Sequence, residues 1–143
     1  MCGFAGFLGD GVPMEQSQGL LASMAQAIAH RGPDERGIHS IPGLGLAHVR
    51  LSIVGLGDGQ QPMSLTDGDE NLTIVFNGEI YNYVELRDML KAAGHLFRTG
   101  SDTEVILHLY QAYGDDCLHH LNGDFAFAIW DARHRRMLLA RDR

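Results

Sequence analysis

The first ten residues, MCGFAGFLGD, alternate small and large side chains. A chain that begins this way starts as a strand pressed closely against a neighbour. The same stretch places a cysteine directly behind the initiator methionine. Removal of Met1 is expected because the next side chain is small. Cys2 would then carry both a thiol and a free α-amine titrating near ~8, close enough to neutrality to move a proton. A cysteine thiolate is a nucleophile, and a terminal amine is one of the few bases that can be tethered to it. Anywhere else in a chain, a buried cysteine reads as a small hydrophobe. Position 2 adds the catalytic alternative.

With 143 residues, the chain has room for one domain with a sizeable core and not for two ordinary ones. A hydrophobic share of 45% against 20% charged residues is that of a globular protein, with no apolar run long enough to span a bilayer. A membrane protein is therefore not expected. The start lacks the basic and long apolar regions of a secretory signal, and two cysteines make no disulfide framework, so a cytoplasmic, reducing compartment is expected. A formal charge of −7 without a basic stripe speaks against nucleic acid as a partner. The basic cluster Arg133 to Arg136 reads as a solvated turn.

QGLLASMAQAIAH carries Leu20, Leu21, Met24, Ala25 and Ile28 at helical spacing, and RGPD then stops the helix. LGLAHVRLSIV and NLTIVFNGEIYN read as strands, the second turning at Asn77-Gly78. Asn82 and Glu85 suggest a capped helix closing at Gly94, and HLFRT reads as a short strand. SDTEVILHLYQAYG predicts a helix with a capping box from Ser101 and Glu104, an apolar face of Val105, Ile106, Leu109, Tyr110 and Tyr113, and an end at Gly114. DFAFAIWDARHRRMLLARDR reads as a hairpin. Irregular alternation of strands and helices favours an α+β, layered architecture.

An acyl-transfer nucleophile needs donors aimed at a developing oxyanion. FNGE offers the Asn77 side-chain amide and the unobstructed Gly78 N–H, although Asn-Gly between two β-like runs is also a common hairpin turn. Arg50 lies inside an apolar strand pattern, where an unpaired guanidinium is costly. It either reaches solvent or grips an anion such as a carboxylate. Asp102 is either part of an ordinary helix start or a counter-charge for an ammonium group; helix capping accounts for Ser101 and Glu104 and leaves it free. Glu79 could join it.

Taken together, the N-terminal Cys-Gly and the blocks HRGPDERG, RLSIV, GQQPM, FNGEIYNYVELRDML, GHLFRTGSDTEVILHLYQAYG and LNGDFAFAIWD…LLARDR resemble the glutaminase domain of glutamine-hydrolysing asparagine synthetases. These are class II glutamine amidotransferases, of the N-terminal-nucleophile hydrolases. The resemblance covers residues 1–143 and implies a four-layer αββα sandwich, here cut before its last strands, with edges that the cut could leave unpaired. It implies that Cys2 attacks the side-chain amide of glutamine with its own α-amine as base. Asn77 and Gly78 would form the oxyanion hole. Arg50 would hold the α-carboxylate, and Glu79 with Asp102 the α-ammonium. A glutamyl thioester would form and be hydrolysed, releasing ammonia and glutamate.

The resemblance further implies a downstream synthetase domain using ATP and magnesium, making asparagine from aspartate or amidating another carboxylate, and a homodimer is common among such relatives. No cofactor is expected within residues 1–143. A non-catalytic module of the same fold is the remaining alternative. HRGPD receives no role beyond stopping a helix. Gly55 departs from the acidic residue usual after RLSIV. GLGDGQQ lacks the Lys-Ser/Thr of a phosphate cradle, and Cys117, His119 and His120 lack zinc-ligand spacing, so no metal is expected. His48 and His108 read as core or rim residues.

Overall fold

Pro42-Gly43 turns the chain back on itself, with Gly43 at φ 78°, a conformation that favours glycine. The turn joins β2 (Glu35–Ile41) to β3 (Leu44–Arg50), and β1 (Gly3–Leu8) pairs with the other edge of β3. The result is a three-stranded antiparallel sheet in the order β1-β3-β2. β4 (Met63–Asp67), β5 (Glu70–Ile80), β6 (Gly123–Asp131) and β7 (Arg136–Arg141) form a second antiparallel sheet in sequence order. The computed structural model describes residues 2–51, 57, 59–68 and 70–143.

Three helices cover the outer faces of these sheets among the described residues. α1 (Met14–Ala27) lays Leu21 and Ala25 on Ala47 and Val49 of β3, with Phe7, Met24 and Ile28 around them. α2 (Tyr83–Ala92) and α3 (Asp102–Tyr113) cover the second sheet, where Ile74, Phe76, Phe127 and Ile129 meet Leu86, Leu90, Val105, Ile106 and Leu109. Between the sheets lie Leu44, Leu46, Val75, Ala128 and Trp130. Alternate residues of a strand face opposite ways, so β3 sends Ala47 and Val49 toward α1 and Leu44 and Leu46 toward the second sheet. The layers run helix, sheet, sheet, helix, the αββα sandwich expected. No helix among the described residues is long and apolar enough to cross a membrane.

Several local expectations are corrected. Asn77-Gly78 is not a turn: β5 continues through it, with Asn77 opposite Ala126 and Gly78 opposite Phe125. HLFRT forms no strand. Its backbone is instead held by Glu104, whose carboxylate accepts the Arg98 and Thr99 N–H groups at 2.8 and 2.7 Å. That leaves no Ser101–Glu104 capping box; the Ser101 hydroxyl alone caps α3, accepting the Thr103 N–H at 3.2 Å. The Asn82 side chain does not cap α2 but donates to the His120 carbonyl and accepts the Asn122 N–H. β2 and β4 were not anticipated, because Gly37, His39 and Ser40 dilute the β-branched signal of the first, and β4 is only 5 residues long. The segment Ser52–Val54 of the expected strand, and Gly55, lie outside the described residues.

Phe127 is 1% exposed and fills the layer between the second sheet and α2 and α3. Phe127→Ala is expected to lower stability by about 3–5 kcal/mol, through lost burial and a residual cavity. Urea unfolding would show this as a lower midpoint at an unchanged slope.

Candidate active site

The strand alternation that buries Leu44 and Leu46 continues along β3 to His48 and Arg50, and that burying Val75 continues along β5 to Asn77. The inter-sheet layer thus changes from apolar to polar toward one end. At that end a cavity of about 230 Å3 is lined by Cys2, Arg50, Asn77, Gly78, Glu79 and Asp102 among others. The catalytic and substrate-binding candidates from the sequence therefore meet in one place. The volume lies below the ~300–1,000 Å3 usual for drug-sized ligands and fits a small metabolite.

Cys2 is half-buried. Its sulfur accepts the Leu51 N–H at 3.4 Å and lies 3.7 Å from the Leu51 carbonyl, so the residue after Arg50 steadies the thiol. Its carbonyl accepts the Arg31 Nε–H at 2.9 Å, and Arg31 lies so close over Gly3 that a β-carbon there would sit 3.0 Å from its Cδ. Gly32 lies against the β3 backbone, and the Asp34 N–H donates to the Arg50 carbonyl at 3.0 Å. HRGPD thus does more than stop a helix. It packs beneath the first residues and fixes the end of β3.

Gly78 has a φ of 149°, and a side chain there would run into the Asp124 carbonyl. Successive residues of β5 turn their peptide groups to opposite edges. The Asn71 carbonyl accepts from Ala132 N–H and the Tyr81 N–H donates to Asn122, both on the β6 side. Phe76, Gly78 and Ile80 therefore face the other edge. β4 covers that edge only as far as Ile74, which pairs with Met63. The Gly78 N–H consequently looks into the cavity, a placement suited to an oxyanion. The Asn77 side chain is half-buried, and its Oδ1 has no hydrogen-bond partner among the described residues.

Arg50 is 4% exposed and is not a solvent-reaching arginine: its Nη1 donates to Glu35 Oε2 at 2.9 Å. Glu35 stands directly opposite Arg50 across the β2–β3 hairpin. Arg50 also lines the cavity, and a guanidinium is suited to meeting a carboxylate there. Sequence reasoning missed Glu35, yet counting outward from the two-residue Pro42-Gly43 turn pairs it with Arg50. It also missed Gln61, whose Oε1 accepts the Phe76 N–H at 2.6 Å and whose Nε2 reaches Thr103 Oγ1 at 3.4 Å.

Asp102 is buried at the first turn of α3, and its Oδ2 accepts the Ile80 N–H at 3.1 Å. It is therefore not wholly free, as capping arguments had left it. Burial pushes its pKa up. The Ile80 and Thr103 N–H groups pull it back, and the Glu79 charge adds to the upward push. Glu79 itself is exposed at the cavity rim. Two carboxylates here, with Asp124 beside them, make this side of the cavity negative, while Arg50 makes the opposite chemistry available.

The other cysteine belongs to a different environment. Cys117 is fully buried in the core beneath α3, its thiol pushed up to about 12 by burial and by Asp115 and Asp116. His120 lies on the Tyr113 ring and His119 is exposed beside Asp116. Among the described residues, no group of three His, Cys, Asp or Glu could hold a metal ion.

The chain matches the family described as glutamine amidotransferase domain over residues 1–143. Asparagine synthetase [glutamine-hydrolyzing] 3 of Bacillus subtilis (strain 168) is 40% identical over 143 residues, covering 100% of this chain and 23% of the relative. A probable asparagine synthetase [glutamine-hydrolyzing] of Dictyostelium discoideum is 43% identical, covering 99% of this chain and 25% of the relative. The chain thus spans about a quarter of the length of these curated relatives. Among solved structures, a glutamine phosphoribosylpyrophosphate amidotransferase from B. subtilis superimposes with a TM-score of 0.73 at 22% identity, over 99% of this chain and 37% of that one. At that identity the likeness speaks to the fold alone. With the match running from the first residue to the last, the chain belongs to the glutamine amidotransferase domain family.

Proposed function

We propose that the chain hydrolyses glutamine to glutamate and ammonia at the Cys2 cavity, the observation carrying this reading being the meeting there of a nucleophile, an oxyanion site and opposite charges for both ends of an amino acid. Arg50 takes the α-carboxylate, and Glu79 with Asp102 takes the α-ammonium. The side-chain amide then lies toward the sulfur. After Met1 removal the Cys2 α-amine accepts the thiol proton, and the thiolate attacks the amide carbon. Asn77, through its side-chain amide, and the Gly78 N–H stabilise the tetrahedral oxyanion. The C–N bond breaks, the nitrogen leaves as ammonia with the proton returned by the amine, and a thioester remains. Water adds to that thioester, giving glutamate and restoring the thiol.

Ammonia made here would serve an ATP- and magnesium-dependent synthetase domain outside residues 1–143, with aspartate as acceptor. The names of the relatives support this choice, and another carboxylate is the alternative. The cavity itself is ill suited to a nucleotide, since Glu79, Asp102 and Asp124 would repel a triphosphate. A free Cys2 thiol fits a reducing cytoplasm.

Intact mass before and after treatment with an electrophilic glutamine analogue tests the reading. The expected result is loss of Met1 and one adduct at Cys2, prevented by excess glutamine. An adduct indifferent to glutamine would refute it. Cys2→Ala is expected to abolish glutamine hydrolysis. Asn77→Ala should lower kcat by roughly 10²–10³-fold. Arg50→Ala should act chiefly on KM, and an unchanged KM would remove Arg50 from the binding role. Because burial raises the Asp102 pKa, acidification should neutralise it at a higher pH than an ordinary aspartate. KM for glutamine should accordingly rise as pH falls through that value, and Asp102→Asn should raise KM while flattening this limb.

A further inference from the structure

β5 loses its neighbour where the reaction needs it most. Past Ile74 no strand among the described residues covers the edge that β4 covered, and Phe76, Gly78 and Ile80 turn their peptide groups toward it. Unpaired buried peptide groups are rarely tolerated, and here side chains from three other elements take the place of a strand. The Phe76 N–H donates to Gln61 Oε1 at 2.6 Å, the Phe76 carbonyl lies 3.0 Å from His48 Nε2, and the Ile80 N–H donates to Asp102 Oδ2 at 3.1 Å. Gly78 sits between these anchors with its N–H toward the cavity.

His48 is the anchor that crosses from the other sheet. It is 1% exposed on β3, on the same face as Leu44, Leu46 and Arg50. A carbonyl can only accept, so Nε2 carries the proton and donates to Phe76. Nδ1 is then a lone-pair acceptor, buried and without a partner among the described residues. Burial and the Arg50 charge, outweighing the Phe76 bond and Glu35, hold the imidazole neutral with a pKa lowered to about 4. Packing alone would be served by another leucine at this position.

We propose that His48 is a positioning residue for glutamine hydrolysis: by holding the Phe76 carbonyl, it fixes the Phe76–Asn77 peptide plane and so aims the Asn77 amide and the Gly78 N–H at the oxyanion. This inference rests on the glutaminase reading. The peptide is held at both ends, by His48 at the carbonyl and by the β6 edge at the Asn77 N–H, opposite Ala126. Arg50 lies two residues further along the same face of β3. The His48 bond therefore also sets the distance between the carboxylate grip and the oxyanion site. His48 touches no reacting atom and acts through Phe76.

The test compares His48→Leu, His48→Asn and His48→Gln in steady-state glutamine hydrolysis, with thermal melting as the check on folding. A glutamine amide can present an N–H near the place of Nε2, whereas an asparagine amide reaches only the place of Nδ1. His48→Leu and His48→Asn are expected to lower kcat by about tenfold to a hundredfold, the scale of a misplaced catalytic group, with KM nearly unchanged. His48→Gln should restore most of the loss. Alkylation of Cys2 by iodoacetamide forms no oxyanion and should proceed at the parent rate in every variant. Equal kcat in the leucine and glutamine variants would reduce His48 to a packing residue and overturn the proposal, as would a parallel fall in alkylation, which would mean that Cys2 itself had moved. Where the leucine variant fails to fold, asparagine against glutamine decides. An unmodified protein that does not hydrolyse glutamine defeats the underlying reading instead.

Discussion

The face-to-face packing of two antiparallel sheets governs everything else in this molecule. Leu44, Leu46, Val75, Ala128 and Trp130 close the space between the sheets, and burial of such side chains is the main force holding the layers together. Because a strand repeats every two residues, the faces that supply this core are the faces that supply the site. Leu44 and Leu46 lead to His48 and Arg50; Val75 leads to Asn77. Chemistry is placed by extending a hydrophobic pattern to a point where polar residues replace apolar ones.

Placing polar groups at the end of a buried layer requires partners for each of them, since an unpaired buried charge or peptide group destabilises the fold. Arg50 has Glu35 across a hairpin, and Asp102 has the Ile80 N–H. The uncovered edge of β5 has Gln61, His48 and Asp102. These bonds draw β2, β3, β5, α3 and the segment before β4 to one point. They hold the cavity lining while leaving the Gly78 N–H to face the cavity. Arg50 on β3, Glu79 on β5 and Asp102 at the start of α3 bring opposite charges to one cavity.

Strong local patterns were legible. Helical spacing in α1 and α3, the hairpin of β6 and β7, and the α+β layering all follow from periodicity and turn residues. Misreadings arose where bonds outside the expected local motif outcompeted those within it. Glu104 looked like a capping-box partner of Ser101, but the backbone of Arg98 and Thr99 lies within its reach and takes both carboxylate oxygens. Asn77-Gly78 has the composition of a hairpin turn, yet β6 approaches so closely that the glycine serves to admit the Asp124 carbonyl, and the strand runs straight through. β2 was obscured by glycine, histidine and serine, although the Pro-Gly turn beside it carried the register that places Glu35 on Arg50.

By itself, the sequence marked the candidate nucleophile and the charged residues, because each is a residue type whose chemistry is hard to explain by folding alone, whereas Asn77-Gly78 also reads as a turn and owed its oxyanion role to the family resemblance. Cys2 stands behind a removable methionine, Arg50 interrupts an apolar strand, and Asp102 is not needed as a cap. Only the tertiary structure decided that these positions, up to 100 places apart in the chain, line one cavity, and what holds them there. The physical reason is that side-chain type is local, whereas the bonds of His48, Gln61, Glu35 and Arg31 depend on which strand edge is left bare and which backbone passes within hydrogen-bond reach.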